Sequence, residues 1–177
     1  MAQPKEVFKY CVKCGVEDFV SENNNLFACG SCGFNYYINS AAATAGIILN
    51  NKQEILLTTR GIEPHKGLLD LPGGFVDPGE SVEQAMIREI KEELNLEVEK
   101  LTFLASFPNE YLFQGLTVYT SDIGFICEVK DFSNIIAQDD ISDFKFYKPN
   151  EIPFDKVSSQ SIVKILRFYF ENYLNKS

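Results

Sequence analysis

Two sets of residues carry chemistry by type and spacing: four cysteines near the start of the chain and a run of carboxylates in its middle. Cys11-Val-Lys-Cys14 and Cys29-Gly-Ser-Cys32 are two CxxC pairs separated by fourteen residues. A CxxC turn aims two thiolates at one point, and two such turns complete a tetrahedron of soft ligands, which suits zinc. Gly15 and Gly33 come directly after the pairs and supply the permissive backbone that such a knuckle requires. The segment from Tyr10 to Asn39 is too short to build a core, so a bound metal would supply its folding energy. Four cysteine ligands leave no open position for water, which makes the expected Zn2+ structural rather than catalytic. Spacing leaves three alternatives: two disulfides, a rubredoxin-like iron site and a redox pair. The fifth cysteine, Cys127, lies in the apolar run Ile123-Gly-Phe-Ile-Cys-Glu-Val129 and reads as a buried, inert thiol.

Between Asp77 and Lys100, eight acids stand against three bases, a local charge of -5 within 24 residues. The bland reading is a solvated helix face. Helical geometry argues against it, because Glu89, Glu92 and Glu93 share about a third of a turn with Val82, Ala85 and Met86. Gln84, Arg88 and Lys91 point elsewhere. Carboxylates three and four residues apart repel one another. Their clustering beside apolar surface costs on the order of several kcal/mol unless a cation neutralises it. Hard oxygen ligands of this kind select Mg2+ or Mn2+. Just ahead, Pro72-Gly73-Gly74 can offer backbone carbonyls to metal and N–H groups to phosphate. An acidic magnesium-binding helix beside a glycine loop points to phosphoryl chemistry.

These residues need elements to hold them. The spacing predicts a helix beginning at Ser81, whose hydroxyl caps it while Gln84 completes a capping box. Ile47–Leu49 and Glu54–Arg60 read as a hairpin around Asn50-Asn51, with the turn residue in the left-handed region. A loop is expected over 61–79, strands over 101–106, 117–129 and 144–147, and a connecting loop over 131–143. An amphipathic helix over 157–174 closes the chain, with Ile162, Ile165, Leu166, Tyr169, Phe170 and Tyr173 as its stripe. A composition shift near residue 40 divides a ribbon (1–39) from a second domain (40–177). Strands and helices interleave without a strict βαβ rhythm, so the expected class is α+β: a mixed β-sheet sandwiched between helices behind a small zinc ribbon.

Gly74-x5-Glu80-x7-Arg88-Glu89-Ile90-x-Glu92-Glu93-x-Asn95-Leu96 resembles the Nudix box, Gly-x5-Glu-x7-Arg-Glu-U-x-Glu-Glu-x-Gly-U, with U aliphatic. All nine defined positions over these 23 residues match except the last glycine, which is Asn95. Asparagine is the next best residue for a left-handed helix end. The resemblance implies a Nudix-type fold and Mg2+-dependent hydrolysis of a nucleoside diphosphate linked to another moiety. Carried over by position, Glu89 and Glu93 would be the principal metal ligands, Glu92 would share a second ion, and the Gly73 carbonyl would complete the coordination. Arg88 would orient Glu89 through a charge-assisted hydrogen bond, and Glu80 would bind through water or brace the loop. Glu89 is the candidate general base on the box helix.

A cysteine ribbon ahead of a Nudix domain is similar to the arrangement in NADH pyrophosphatases. Phe27-x-Cys29-x-x-Cys32-Gly33-Phe34-x-Tyr36-Tyr37-x-Asn39 extends that likeness. The subfamily's further acidic ligand matches Asp140 best. Its Ser-Gln-Pro-Trp-Pro-Phe-Pro motif is replaced here by Ser106-Phe-Pro-Asn-Glu-Tyr-Leu-Phe113, and the chain has no tryptophan. The substrate class therefore widens to ADP-ribose, nucleotide sugars and dinucleotides.

Smaller signals complete the reading. Arg60 and Gly74 are candidate substrate contacts, and Tyr111 is a candidate base-stacking residue beside Phe107, Phe113 and Tyr119. Packing within the sheet is the competing role for these aromatics. His65 and Lys66 lie in a loop where phosphate contact competes with simple exposure. The formal net charge of -9 counts against non-specific nucleic-acid binding and against anionic membranes. No run is long and apolar enough to span a bilayer, and the first residues lack a signal-peptide core, so a cytoplasmic protein is expected. The partner would be a nucleotide-derived small molecule. The rival function is a Nudix-like nucleotide sensor or binding module whose ribbon contacts protein or RNA. Loss of box carboxylates would favour it, yet all four glutamates and the arginine are present. Homodimerisation through the ribbon is compatible with either function.

Overall fold

The computed structural model describes residues 2–21 and 25–174. The chain divides into two compact units, Met1–Ala41 with Glu110–Tyr119, and Ala42–Asn109 with Thr120–Ser177.

The first unit holds a short helix α1 (Pro4–Val7) and three strands, β1 (Phe19–Ser21), β2 (Leu26–Cys29) and β3 (Asn35–Tyr37). They form an antiparallel sheet in the order β1-β2-β3, with Phe19 opposite Cys29 and Phe27 opposite Tyr36. Its core is small: Cys11, Phe19, Phe27 and Cys29 are buried, and the Phe27 ring lies 5.4 Å from that of Phe19 and 5.7 Å from that of Phe8. So few apolar side chains cannot offset the entropy of ordering the segment, which leaves a role for a metal. The tip of a long hairpin joins this unit. Ala2 bridges Leu116 in parallel, and the Tyr119 hydroxyl donates to Gln3 Oε1 at 2.5 Å.

The second unit is built from β4 (Ala41–Ile48), β5 (Ile55–Arg60), β6 (Leu69–Asp70), α2 (Val82–Leu94), β7 (Val98–Phe113), β8 (Leu116–Val129), β9 (Ile141–Tyr147) and α3 (Gln160–Tyr169). The strands form two three-stranded sheets, ordered β4-β8-β7 and β6-β5-β9. Side-chain alternation assigns each strand to two cores. Ile47, Ile55 and Leu57 pack with Ile162, Ile165 and Leu166 of α3, while Ile48 and Leu56 pack with Met86, Ile90 and Leu94 of α2. Successive residues of one strand thus serve opposite faces, which is why these strands read as continuous apolar runs. The result is the expected α+β sandwich of strands between helices.

Several boundaries differ from the sequence reading. The residue with positive φ between β4 and β5 is Gln53 (φ 60), not an asparagine; Asn50 instead accepts from the Lys52 and Glu54 N–H groups through its side chain. The expected 61–79 loop contains β6, whose two residues pair with Thr58 and Thr59. The strand expected over 101–106 runs to Phe113 straight through Pro108, which is tolerated because β7 lies at the edge of its sheet, where proline is allowed. The closing helix is shorter, Gln160–Tyr169 continued by a π turn over Phe170–Leu174. Gly46 sits where a Cβ would lie 3.0 Å from Cys127 Sγ and 3.1 Å from Met86 Cε, so its missing side chain lets α2 lie close to the sheet. Cys127 is buried there as expected, and burial pushes its thiol up to about 12. Among the described residues, no helix is long and apolar enough to cross a membrane.

Candidate active site

The two cysteine pairs form matching knuckles. Gly15 N–H donates to the Cys11 carbonyl at 2.8 Å, and Gly33 N–H donates to the Cys29 carbonyl at 2.9 Å. Cys11 N–H donates to Val16 O and Cys29 N–H to Phe34 O, each at 2.9 Å. Both glycines have positive φ, 76° and 67°. The four sulfur atoms converge within 4.8 Å of one another, with Cys11–Cys32 and Cys14–Cys29 each at 3.7 Å. A tetrahedron with zinc–sulfur bonds of about 2.3 Å has sulfur–sulfur edges of about 3.8 Å, so the donor set fits that ion. All five cysteines are free thiols, which sets aside the two-disulfide alternative.

The box occupies α2 and the turns around it. Ser81 Oγ accepts from Gln84 N–H at 3.2 Å while Gln84 Oε1 accepts from Ser81 N–H at 2.8 Å, closing the predicted capping box. Asn95 ends the helix in the left-handed region (φ 53, ψ 30), the conformation a glycine would adopt there. The Lys91 ammonium donates to its side chain at 2.8 Å.

Arg88 organises the solvent side of the site. Its Nε and Nη2 fork onto Glu80 at 2.9 Å each, Nη1 reaches Glu89 at 2.8 Å and Glu92 at 3.0 Å, and Nη2 also reaches the Phe75 carbonyl at 3.0 Å. All five N–H donors of the guanidinium are thereby used. The Arg88–Glu89 bond is the one the box implies; although Arg88 leaves the helix away from the glutamates, its long side chain reaches back across them. Glu80, which also accepts from Asp77 N–H at 3.1 Å, braces the loop, and the Arg88 hydrogen bonds hold its carboxyl below the usual range. Glu92 is the most exposed of the helix carboxylates that Arg88 holds, with 47 % of its side chain accessible, so it does not share the inward orientation projected for it.

Glu89 and Glu93 face inward against the glycine loop. A Cβ on Gly74 would lie 2.4 Å from Glu89 Oε1, so a larger residue there would push that carboxylate out of its present place. Gly73 has φ 143, and a Cβ there would lie 2.1 Å from the Thr44 carbonyl. Its N–H donates to Glu93 Oε2 at 3.0 Å. The loop is fastened to β4 by Thr44 N–H to Gly74 O and Gly46 N–H to Pro72 O, both at 2.8 Å. Glu93 is 5 % exposed. Burial foremost, then the negative fields of Glu89, Asp70 and Asp140, push its carboxyl up to about 9 despite the Gly73 bond. Burial likewise raises Glu89, with Glu92 and Asp139 adding to the effect. A buried carboxylate with one N–H partner and several acidic neighbours is the environment that a hard divalent cation relieves, so these oxygens fit Mg2+ or Mn2+.

The remaining candidates fall in different places. Asp140 lies near enough for its charge to raise Glu93, and its carbonyl accepts from Gly61 N–H at 2.7 Å. Arg60 is engaged by Asp70 at 3.2 Å and by the Pro64 carbonyl at 2.8 Å. Tyr111 belongs to the other compact unit, where its ring stacks on Phe113 at 6.5 Å. Phe107 packs edge-on against Phe168 in the core, and His65 is exposed with φ 70. Asp70 adds its negative field at Glu93, and Asp139 adds its field at Glu89, although neither stood out in sequence. Asp70 sits two residues before Pro72-Gly73-Gly74, the only local hint of its place.

A family profile for the NUDIX domain matches residues 40–166. An ADP-ribose pyrophosphatase from Methanocaldococcus jannaschii is 35 % identical over 133 residues, covering 74 % of this chain and 75 % of that protein. The NAD-capped RNA hydrolase NudC from Pseudomonas aeruginosa is 24 % identical over 149 residues, covering 82 % of this chain and 49 % of that protein. The chain thus spans about half the length of that NudC relative. In fold, it resembles a NUDIX hydrolase from Nitrosomonas europaea with a TM-score of 0.70 at 22 % identity, covering 94 % of this chain and 93 % of that one. With the box arginine and glutamates gathered on α2 and the turn ahead of it, and the family profile spanning residues 40–166, the chain belongs to the NUDIX domain family and is a diphosphohydrolase.

Proposed function

We propose that the chain hydrolyses the diphosphate bond of a nucleoside diphosphate derivative with Mg2+ or Mn2+, and that ADP-ribose is the substrate to test first. The observation that carries this reading is Glu93: a buried carboxylate, held by the Gly73 N–H and pushed up to about 9 by burial among Glu89, Asp70 and Asp140. ADP-ribose comes first because the M. jannaschii relative bears that activity in its name and matches the chain at 35 % identity. Nucleotide sugars, dinucleotides and NAD-capped RNA come next.

Glu89, Glu92, Glu93, the Gly73 carbonyl and Asp140 would hold the cations. Bound there, divalent cations offset the charge of the diphosphate and make water easier to deprotonate. Arg88 holds Glu89 by a charge-assisted bond, so the carboxylate stays aimed beside Gly74 rather than turning to solvent. Glu89 is the candidate base that takes the proton of the attacking water. Glu80 and Arg88 lock the loop after Gly74 to the helix, keeping the glycine turn in register with the carboxylates. A Zn2+ held by Cys11, Cys14, Cys29 and Cys32 would be structural, because four cysteine ligands leave no open position.

The test is incubation with Mg2+ and a panel of ADP-ribose, NADH, nucleotide sugars, dinucleoside polyphosphates, 8-oxo-dGTP and NAD-capped RNA, with the phosphorylated products quantified. Turnover of ADP-ribose that disappears in Glu92→Gln plus Glu93→Gln supports the reading. Turnover that survives this double substitution overturns the metal-helix mechanism. Tight binding of one compound without cleavage of any would favour the sensor function.

A further inference from the structure

Three segments meet around one carboxylate that the box does not include. Asp70, at the end of β6, accepts from Ser158 Oγ at 2.7 Å, from Arg60 Nη1 at 3.2 Å and from Leu71 N–H at 2.9 Å. The main chain reinforces the junction. Ser158 N–H donates to Leu69 O at 2.8 Å, Leu69 bridges Val157 in parallel, and Thr58 Oγ1 donates to the Asp70 carbonyl at 3.4 Å. Asp70 is therefore gripped at both its carboxylate and its carbonyl. Its partners come from the end of β5 and from the turn that leads into α3.

The three residues after Asp70 carry this grip to the carboxylate cluster. Leu71 is buried, Pro72 offers its carbonyl to the Gly46 N–H, and Gly73 presents its N–H to Glu93. Gly73 has a backbone conformation that few residues other than glycine adopt, and glycine does little to restrict its own rotation. The direction of its N–H is therefore set by the chain on either side: by the bonds of Pro72 and Gly74 to β4, and by how Asp70 leads the chain into the turn. An uncharged side chain could have anchored the turn as well. A largely buried carboxylate is costly, and this one, with 14 % of its side chain accessible, adds its field at Glu93. Burial raises both Asp70 and Asp140, and the Arg60 charge moderates the rise in each.

We infer that Asp70, clamped by Arg60 and Ser158, is a positioning residue for the divalent-cation site: it fixes the turn that aims the Gly73 N–H at Glu93 and adds negative field to the cluster. The inference rests on the cation site of the proposed function. It also gives Arg60 a role as a clamp rather than a phosphate contact.

The experiment is a Mn2+ titration of the full, zinc-loaded chain monitored by electron paramagnetic resonance, with melting temperatures measured in parallel. Asp70→Ala is expected to weaken Mn2+ binding about tenfold or more, the scale of losses when groups behind metal ligands are removed. Asp70→Asn keeps one oxygen, enough for the Leu71 N–H, but puts an amide NH2 where Oδ2 meets Arg60 and Ser158 and loses the charge, and should weaken binding by about threefold. A merely structural anchor would lower the melting temperature and leave Mn2+ affinity within about twofold of the wild type, which overturns the inference. Should Asp70→Ala fail to fold, Ser158→Ala removes one hydrogen bond only, and unchanged affinity in that variant is equally decisive against it. Glu93→Gln separates the two levels. If it abolishes Mn2+ binding while Asp70→Ala does not, only the role of Asp70 falls. If it leaves Mn2+ binding intact, the cation site itself is wrong and both fall.

Discussion

The backbone N–H of Gly73 donates to Glu93 Oε2 at 3.0 Å, joining the glycine loop to the acidic helix across twenty residues of sequence. That bond holds one oxygen of a carboxylate that burial alone would drive to the neutral form. The arrangement keeps the carboxylate oriented at the cost of an electrostatically unfavourable site. A divalent cation would remove that cost, which makes the charge of Glu93 the first quantity to vary.

Glu93→Gln retains an oxygen to accept from Gly73 and loses only the charge. Activity on the diphosphate substrate should fall by about 100-fold in kcat, because the group offered to the cation is gone. The same substitution should raise the melting temperature measured without Mg2+. Steady-state kinetics and thermal melts on one preparation check both, and wild-type kcat in the variant would remove Glu93 from the mechanism.

The pH dependence has a definite sign. Glu93 has its folded pKa raised to about 9 from an ordinary 4.5, so between these values the folded chain retains a proton that the unfolded chain has released. This contribution to stability is fully present below about 4.5 and is lost as pH rises through about 9. Glu89 and Asp140, also raised, act in the same sense. The melting temperature in Mg2+-free buffer should therefore decline from about pH 6 to about pH 9, and Mg2+ should stabilise most at the alkaline end. Glu93→Gln should flatten the profile; an equally steep decline in that variant would assign the effect to other groups.

Gly73→Ala meets two obstacles, a φ of 143 and a Cβ only 2.1 Å from the Thr44 carbonyl. The loop must leave its bonds to β4 or shift the strand. A loss of about 2–4 kcal/mol in denaturant-measured stability is expected, together with loss of activity. A stability within about 0.5 kcal/mol of the wild type would show that the loop is not held as described.

Elemental analysis of the purified chain should find one zinc per molecule, held by Cys11, Cys14, Cys29 and Cys32. Cys29→Ser should release it and accelerate amide hydrogen exchange across β1, β2 and β3, since the small core there cannot replace the metal. Iron in place of zinc would revise the ion, and the absence of any metal would remove the site.

Some of this protein could be read from its residues in order, because the relevant forces act over a few positions. The CxxC-Gly knuckles close through bonds spanning four and five residues. Ser81, Gln84 and Asn95 delimit the box helix through bonds of similar reach. The spacing of Glu89, Glu92 and Glu93 comes from the helical repeat alone. Other parts of the site are joined by strand pairing and by side chains reaching across the fold. β6 was hidden in an apparent loop, since two residues leave no periodicity and only β5 makes them a strand. Asp70 became part of the site because Arg60 of β5 and Ser158 of the turn before α3 converge on it from 10 and 88 residues away. The Arg88 bond to Glu89 was expected from the box, but its reach to Glu80, Glu92 and the Phe75 carbonyl depends on the length of its side chain over the helix, and Tyr111 proved to belong with the ribbon rather than the box. The sequence by itself determined which chemistry the carboxylates and thiolates can perform. Tertiary structure decided which carboxylates are buried and which are held by arginine, because burial and charge neutralisation depend on neighbours that the linear order does not specify.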